Sequence, residues 1–154
     1  TGGQSMFDNF THHWRALKDD GRITQEEFTR ATFAQHYRTV DEFTAPFADP
    51  NSAVRQAGLK LLSVETRLTP CPYHAEFQQS GGAMSSAEYA ASLIPTTRSW
   101  SETVFRTALD SRPEAEIQSL VDAFYGAYEQ QVAADPNGHA MDYIHILMAI
   151  EKED

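Results

Sequence analysis

Between positions 117 and 132 the apolar residues Ile117, Leu120, Val121, Phe124, Tyr128 and Val132 recur at steps of three, one, three, four and four. That spacing is the 3.6-residue period of an α-helix with one wide apolar face. Such a face must be covered by other elements, so the stripe commits the chain to a packed, largely helical body. Ser111-Arg112-Pro113-Glu114 reads as its start, with Ser111 as cap and Pro113 in the first turn. Asp135-Pro136-Asn137-Gly138 reads as its stop.

Other segments carry the same signal. Met6, Phe10, Trp14 and Leu17 predict a helix from Ser5 to Lys18, closed at Asp19-Asp20-Gly21. Thr24 with Glu27, and Thr39 with Glu42, each form a capping box, in which a Thr and a Glu three residues later satisfy each other's amides. They predict short helices leading into Phe28 and Phe43. Residues 33–38 show no period. After the loop at Gly81-Gly82, Ser86 reads as the cap of a long helix reaching Leu109, which Pro95 is expected to break or kink.

Two segments read as strands. From Leu59 to Leu68 apolar and polar residues alternate, with one irregularity at Leu62-Ser63, and Pro70 and Pro72 end the run. From Met141 to Ile150 the chain is rich in Ile and Tyr, with Leu and Met. Tyr143, Ile144, Ile146, Leu147 and Ile150 put apolar groups on both faces of this strand, as in a covered sheet. Two strands alone are marginal and leave edges open to another chain. The expected fold is therefore α+β: cap helices at 5–57, a strand within 58–70, helices at 71–134 and a final strand within 139–152. The open edges predict pairing into a homodimer.

Charge and composition bound the partners. With 22 acidic against 12 basic residues the net charge is -10, which repels phosphate backbones and anionic lipid. Nucleic acid and membranes are thus poor partners, and no apolar run approaches the ~20 residues of a membrane span. A single cysteine, Cys71, forbids an internal disulfide and favours a cytoplasmic location. Thr1-Gly2-Gly3-Gln4-Ser5 has neither the basic start nor the apolar run of a signal peptide, and it lacks an initiator Met. The chain is expected to be the C-terminal piece of a larger enzyme.

Motifs of site chemistry are weak. Asn9-Phe10-Thr11 matches a glycosylation sequon, a triplet common by chance. No Gly-rich nucleotide loop, G-x-S-x-G or H-E-x-x-H occurs. Cys71 and His74 lack a second pair of metal ligands. Aligning Gly21 with the sixth position of a calcium loop puts Ala16 and Lys18 where oxygen ligands belong. His12 and His13, adjacent on a helix, point apart and chelate poorly together. Arg98 and Glu102 read as an ion pair along one helix face.

The order of these features resembles a known family. Met6-Phe7-Asp8, followed by Leu17-Lys18-Asp19-Asp20-Gly21-Arg22-Ile23-Thr24-Gln25-Glu26-Glu27, resembles the helix and E-G-x-I-x-x-E turn of the SABATH carboxyl methyltransferases. Residues 33–43 are similar to their P-x-Y-x-P/R-[ST]-x-E-[FL] segment, and Gly58-Leu59-Lys60-Leu61 to the strand after it. Thr97-Arg98-Ser99-Trp100-Ser101-Glu102 resembles the x-R-A-x-x-E helix. Residues 117–128 resemble the D-x-[LV]-F-x-R-Y helix, and residues 143–152 the terminal strand ending in L-x-x-K. The chain departs from plant members at Phe33-Ala34, at Thr103 and at Asp110-Ser111-Arg112-Pro113, which points to a microbial member.

The resemblance implies methyl transfer from S-adenosylmethionine to a carboxylate of a small organic acid, on a doubly wound α/β fold with a helical cap. It implies that this chain is the C-terminal part of that fold, supplying the cap and two antiparallel final strands. The cofactor would be held by an N-terminal part, and this chain alone would neither bind it tightly nor turn over. Thr1-Gly2-Gly3 would lie just before the last parallel core strand. Residue by residue, Met6 and Phe7 match positions that wall the substrate ring, Thr97 and Trp100 positions that close over it, and Tyr143 a C-terminal aromatic completing the pocket. No residue is expected to be catalytic, and none to bind metal. The reading from another class is a free-standing helical binding module without catalysis.

Overall fold

The computed structural model describes residues 5–153, and the Thr1-Gly2-Gly3 expectation lies outside them. Seven α-helices, one 3-10 turn and two strands make up the described chain: α1 (Met6–Asp19), α2 (Gln25–Arg30), α3 (Val40–Ala48), α4 (Ala53–Gln56), β1 (Leu59–Thr69), α5 (Pro72–Gln79), α6 (Ser86–Ala108), α7 (Glu114–Ala134), the turn Pro136–Gly138 and β2 (Tyr143–Lys152). The class is α+β, mostly helical, with the two strands paired antiparallel. No helix among the described residues is long and apolar enough to cross a membrane.

The elements divide into two compact units. The larger holds the residues up to Phe33 together with Cys71–Met141, and the smaller holds Ala34–Pro70 with the residues from Asp142 onward. The division cuts across the expected segments, because the strand of 58–70 and the final strand pair with each other and so gather residues far apart in sequence.

In the larger unit α6 lies along α7, the most extensive helix pairing there, and α1 packs on α7. The α7 stripe is buried as its period requires: Ile117, Leu120, Val121, Phe124, Tyr125, Tyr128 and Val132 all face inward. From α1 come Phe10, Trp14 and Leu17, and from α6 Tyr89, Leu93, Ile94 and Phe105. At about 25 cal/mol per Å² of apolar surface removed from water, burial of these large side chains is the main force holding the unit together.

Capping is more systematic than the two boxes at Thr24 and Thr39. Ser5 with Asp8 and Ser85 with Glu88 form complete boxes as well. The cap of α6 is therefore Ser85 and not Ser86: Glu88 stands three residues after Ser85, the spacing that lets its carboxylate reach back to the Ser85 amide at 2.8 Å. Helix α7 differs likewise. Pro113 occupies the cap position, Ser111 makes no cap bond to it, and the helix begins at Glu114.

Pro95 does not end α6, which runs unbroken through it. Its ring lies on the exposed side while Leu93, Ile94 and Thr97 are buried, so packing of the opposite face carries the helix across the missing amide. Pro72, expected only to stop β1, also opens α5 as its first residue, where the lost amide costs nothing.

The smaller unit is built on the ribbon of β1 and β2. Pairing runs from Leu59 opposite Lys152 to Thr69 opposite Tyr143, with a register shift between Leu61 and Ser63. The irregularity at Leu62-Ser63 is thus a bulge. Because side chains alternate, Leu61, Val64, Thr66 and Leu68 share a face with Ile144, Ile146, Met148 and Ile150. Tyr143, His145, Leu147 and Glu151 project from the other face beside Lys60, Glu65, Arg67 and Thr69. Both faces of β2 carry apolar groups, but within this chain neither is fully covered: Ile144 is 76% exposed on one face and Tyr143 48% on the other. Gly58 adopts φ +73 at the base of the ribbon, where a Cβ would stand 2.8 Å from the Glu153 carbonyl oxygen. That close approach requires glycine.

Candidate functional site

The α1 residues Phe7 and Phe10, Phe33 after α2, and Trp100 on α6 meet in one aromatic cluster. Phe10 sits at its centre, stacked on Phe33 at 5.5 Å between ring centroids and edge-on to Phe105 at 5.6 Å and Tyr128 at 5.8 Å. Phe7 lies 5.4 Å from Phe33 and 6.3 Å from Trp100, both in edge-to-face geometry. These are the spacings at which aromatic pairs attract beyond simple burial. The cluster grades from closed to open. Phe10 is 2% exposed and Trp100 38%, while Phe7 and Phe33 are half-buried. Phe7, Phe33 and Trp100 therefore form an accessible aromatic rim over a closed aromatic floor.

The five residues singled out in the sequence fall as follows. Phe7 and Trp100 stand together in the rim. Met6 is partly buried against the same core. Thr97, one turn before Trp100, is 1% exposed and donates its hydroxyl to the Leu93 carbonyl at 3.2 Å, so its polar group is used inside the helix. Tyr143 belongs to the smaller unit, where its ring lies 6.0 Å from that of His145 in near-parallel stacking. Phe33 carries no helical period and escaped the sequence reading as a rim residue. Its aromatic character next to a capping-box helix was the only signal.

Behind the rim runs a polar chain, buried at Asn9 and His139 and half-buried at His13 and Gln131. The His13 Nε2 atom lies 2.5 Å from Gln131 Oε1, Gln131 Nε2 donates to Asn9 Oδ1 at 3.1 Å, and Asn9 Nδ2 faces His139 Nδ1 at 3.4 Å. The amides set its sense: each uses its oxygen as acceptor and its nitrogen as donor, so His13 donates at one end and His139 accepts at the other. Tyr89 adds a bond from its hydroxyl to the His139 carbonyl at 2.5 Å. Burial lowers the pKa of both His13 and His139, because it disfavours the charged imidazolium. Asn9 is 2% exposed with its carboxamide engaged on both sides, so the sequon at Asn9 is closed to glycosylation in the folded chain.

Two other polar groups flank the rim helix. Ser101 donates to the Thr97 carbonyl at 2.6 Å and shares a 2.7 Å bond with the Tyr125 hydroxyl, whose pKa burial pushes up to about 12. Arg98 pairs with Glu102 at 2.5 Å and with Asp122 at 2.8 Å, and its guanidinium lies 5.2 Å from the Tyr125 ring centroid. The expected ion pair along the helix is present. The second pair, Arg98 with Asp122, ties α6 to α7.

Among the described residues no group of three or more His, Cys, Asp or Glu side chains is placed to hold a metal ion. Cys71 is 1% exposed at the start of α5. His12 and His13 place their rings 5.1 Å apart and nearly perpendicular. The rim consists of hydrocarbon faces and one indole. No protein-family model and no curated protein matches this chain.

Proposed function

We propose that this chain is the substrate-capping C-terminal portion of an S-adenosylmethionine-dependent methyltransferase that methylates the carboxylate of a small organic acid. One observation carries the reading: a half-exposed aromatic rim of Phe7, Phe33 and Trp100 laid over a closed aromatic floor. Ring faces and edges at these spacings suit the flat apolar body of an aryl acid. An ionised carboxylate needs no base to accept a methyl group. The work left to this chain is to hold the acceptor and keep water from it.

The rim does not fit the cofactor. Nucleoside recognition calls for acidic or backbone groups on the ribose, and Phe7, Phe33 and Trp100 offer hydrocarbon and one indole N–H. S-adenosylmethionine, which supplies the electrophilic methyl group when bound, is assigned in this reading to a part of the enzyme outside this chain. The exposed apolar face of the β1–β2 ribbon suits such a companion, which would cover it. The same exposure weighs against the alternative of a free-standing helical binding module, for which a covered ribbon is expected.

The test is methyl transfer by the complete product of the gene that encodes this chain. Methyl-labelled S-adenosylmethionine and a panel of aryl and alkyl acids should give a base-labile labelled ester. The variant Trp100→Ala should lower kcat/KM by about tenfold, consistent with the loss of one ring contact in a binding site. Absence of ester with every acid in the panel overturns the proposal.

A further inference from the structure

The smaller unit holds a hollow of about 590 Å³ between the last turn of α3, the Pro50 loop, α4 and the start of β1. Ala45, Phe47, Pro50 and Leu61 give it an apolar lining, and Arg55 and Lys60 place two cations against that lining. Both cations share one acid. Arg55 Nη1 lies 3.7 Å from one carboxylate oxygen of Glu153 and Lys60 Nζ lies 3.8 Å from the other. Neither distance is a hydrogen bond.

Other arginine pairs of the chain close further, with Arg112 on Glu27 at 2.6 Å and Arg98 on Glu102 at 2.5 Å, while Arg67–Glu65 and Arg112–Glu116 are also loose at 3.5 Å. What sets this place apart is that two cations share one loosely held carboxylate beside an apolar hollow. Glu153 is put here by its backbone, since its amide donates to the Gly58 carbonyl at 2.7 Å. Arg55 is steadied from behind, with Nη1 donating to the Leu59 carbonyl at 2.9 Å. Two cations, of which Arg55 is held by the Leu59 carbonyl, therefore face one loosely paired carboxylate, in a chain whose net charge is -10. The Lys60 and Glu153 side chains are about half exposed, 52% and 47%, so water and solutes reach the pair.

We propose that this hollow binds a small amphipathic carboxylate. The carboxylate of the ligand takes the place of the Glu153 side chain between Arg55 and Lys60, and its aryl or alkyl tail lies on Phe47 and Leu61. An acid with free reach can sit within hydrogen-bond distance of a guanidinium, which a side chain fixed by its own backbone does not reach here. The inference rests on the Arg55–Lys60–Glu153 geometry alone and not on the methyltransferase reading.

The experiment is a titration of the full chain with 3-phenylpropionate, followed by amide chemical shifts. Acetate, which lacks the tail, and 3-phenylpropanol, which lacks the charge, serve as comparisons. Phenylpropionate is expected to move the amides of Arg55, Lys60 and Leu61, and to bind about tenfold more tightly than either comparison. Lys60→Met, at a half-exposed position where folding is not at risk, should weaken binding by about tenfold, and Glu153→Gln, which removes the internal competitor, should tighten it severalfold. Trp100→Ala should leave this affinity unchanged, which separates the hollow from the aromatic rim. Equal binding of acid and alcohol, indifference to Lys60→Met, or weaker binding to Glu153→Gln would each overturn the proposal.

Discussion

Arg112 grips Glu27 with two nitrogens, Nε on Oε1 at 2.6 Å and Nη2 on Oε2 at 2.8 Å, across 85 residues of sequence. The same carboxylate accepts the Thr24 amide at 2.7 Å as the third residue of a capping box. One side chain thus closes the N-terminus of α2 and pins it beside the start of α7. The Arg112 hydrogen bonds hold Glu27 down to about pKa 2, further helped by Thr24 and opposed by burial.

A carboxyl whose folded pKa lies below its unfolded value of 4.5 stabilises the fold above pH 4.5 and stops doing so as pH falls towards 2. The shift corresponds to on the order of 3 kcal/mol, a fair scale because the Glu27 side chain is only 8% exposed. Glu27→Gln should therefore lose roughly 3 kcal/mol in urea unfolding at pH 7, and its deficit against the parent should shrink at pH 3. An equal deficit at both pH values would refute the assignment.

The chain from His13 to His139 makes a prediction of its own sign. Both imidazoles have folded pKa values lowered by burial from the usual 6.5, so the unfolded chain binds more protons below that pH. Stability should be full above pH 6.5 and fall as pH drops beneath it. In His13→Gln combined with His139→Asn, amides supply the donor and acceptor without titrating. Melting temperature from pH 8 to 5.5 should slope less in this double variant, and identical slopes would argue against the network.

Burial ranks the aromatic residues for stability. Phe105 is 2% exposed and lies 4.2 Å from Phe124 and 4.9 Å from Trp14 between ring centroids. Phe105→Ala should cost about 3–5 kcal/mol through lost transfer energy and the cavity left behind. Trp100, 38% exposed, should cost clearly less, on the order of 1–2 kcal/mol when changed to Ala. Chemical denaturation of both variants decides the order, and a larger loss at Trp100 would contradict the graded rim.

Pro95 occupies the interior of α6 without an amide to donate, while its ring faces outward. Restoring the donor with Pro95→Ala should stabilise the chain by about 1 kcal/mol, the helix gain being partly offset by a freer unfolded state. A destabilised variant would show that packing of α6 depends on the proline geometry.

The open face of the ribbon predicts association. Ile144, Leu68 and Ile150 are exposed on one face beside unpaired strand edges. Sedimentation should show a concentration-dependent dimer, weakened by Ile144→Lys with no fall in melting temperature. A parent that remains monomeric at every concentration excludes the homodimer.

Much of this was legible before any coordinates. The α7 stripe, the boxes at Thr24 and Thr39, the two strands and the bulge beside Leu62 all come from local rules, in which neighbours three, four or two residues apart decide the outcome. Where local signals compete, residue type alone does not decide between them. Ser85 and Ser86 are both good caps, and only the distance to Glu88 separates them. Pro95 looks like a breaker until the buried opposite face of α6 is known. For the rim, only the family resemblance pointed to Phe7 and Trp100, and nothing local joins Phe33 to them.

By itself the sequence determined which segments are helices or strands and which of their faces are apolar, because backbone hydrogen bonding and side-chain periodicity act over a few residues. Tertiary structure alone decided that Glu27 meets Arg112, that Asn9 meets His139 across 130 positions, and that Arg55 and Lys60 share Glu153. Those meetings depend on how the helices close on one another. Closure is set by the summed packing of the whole core, which no short stretch of sequence encodes.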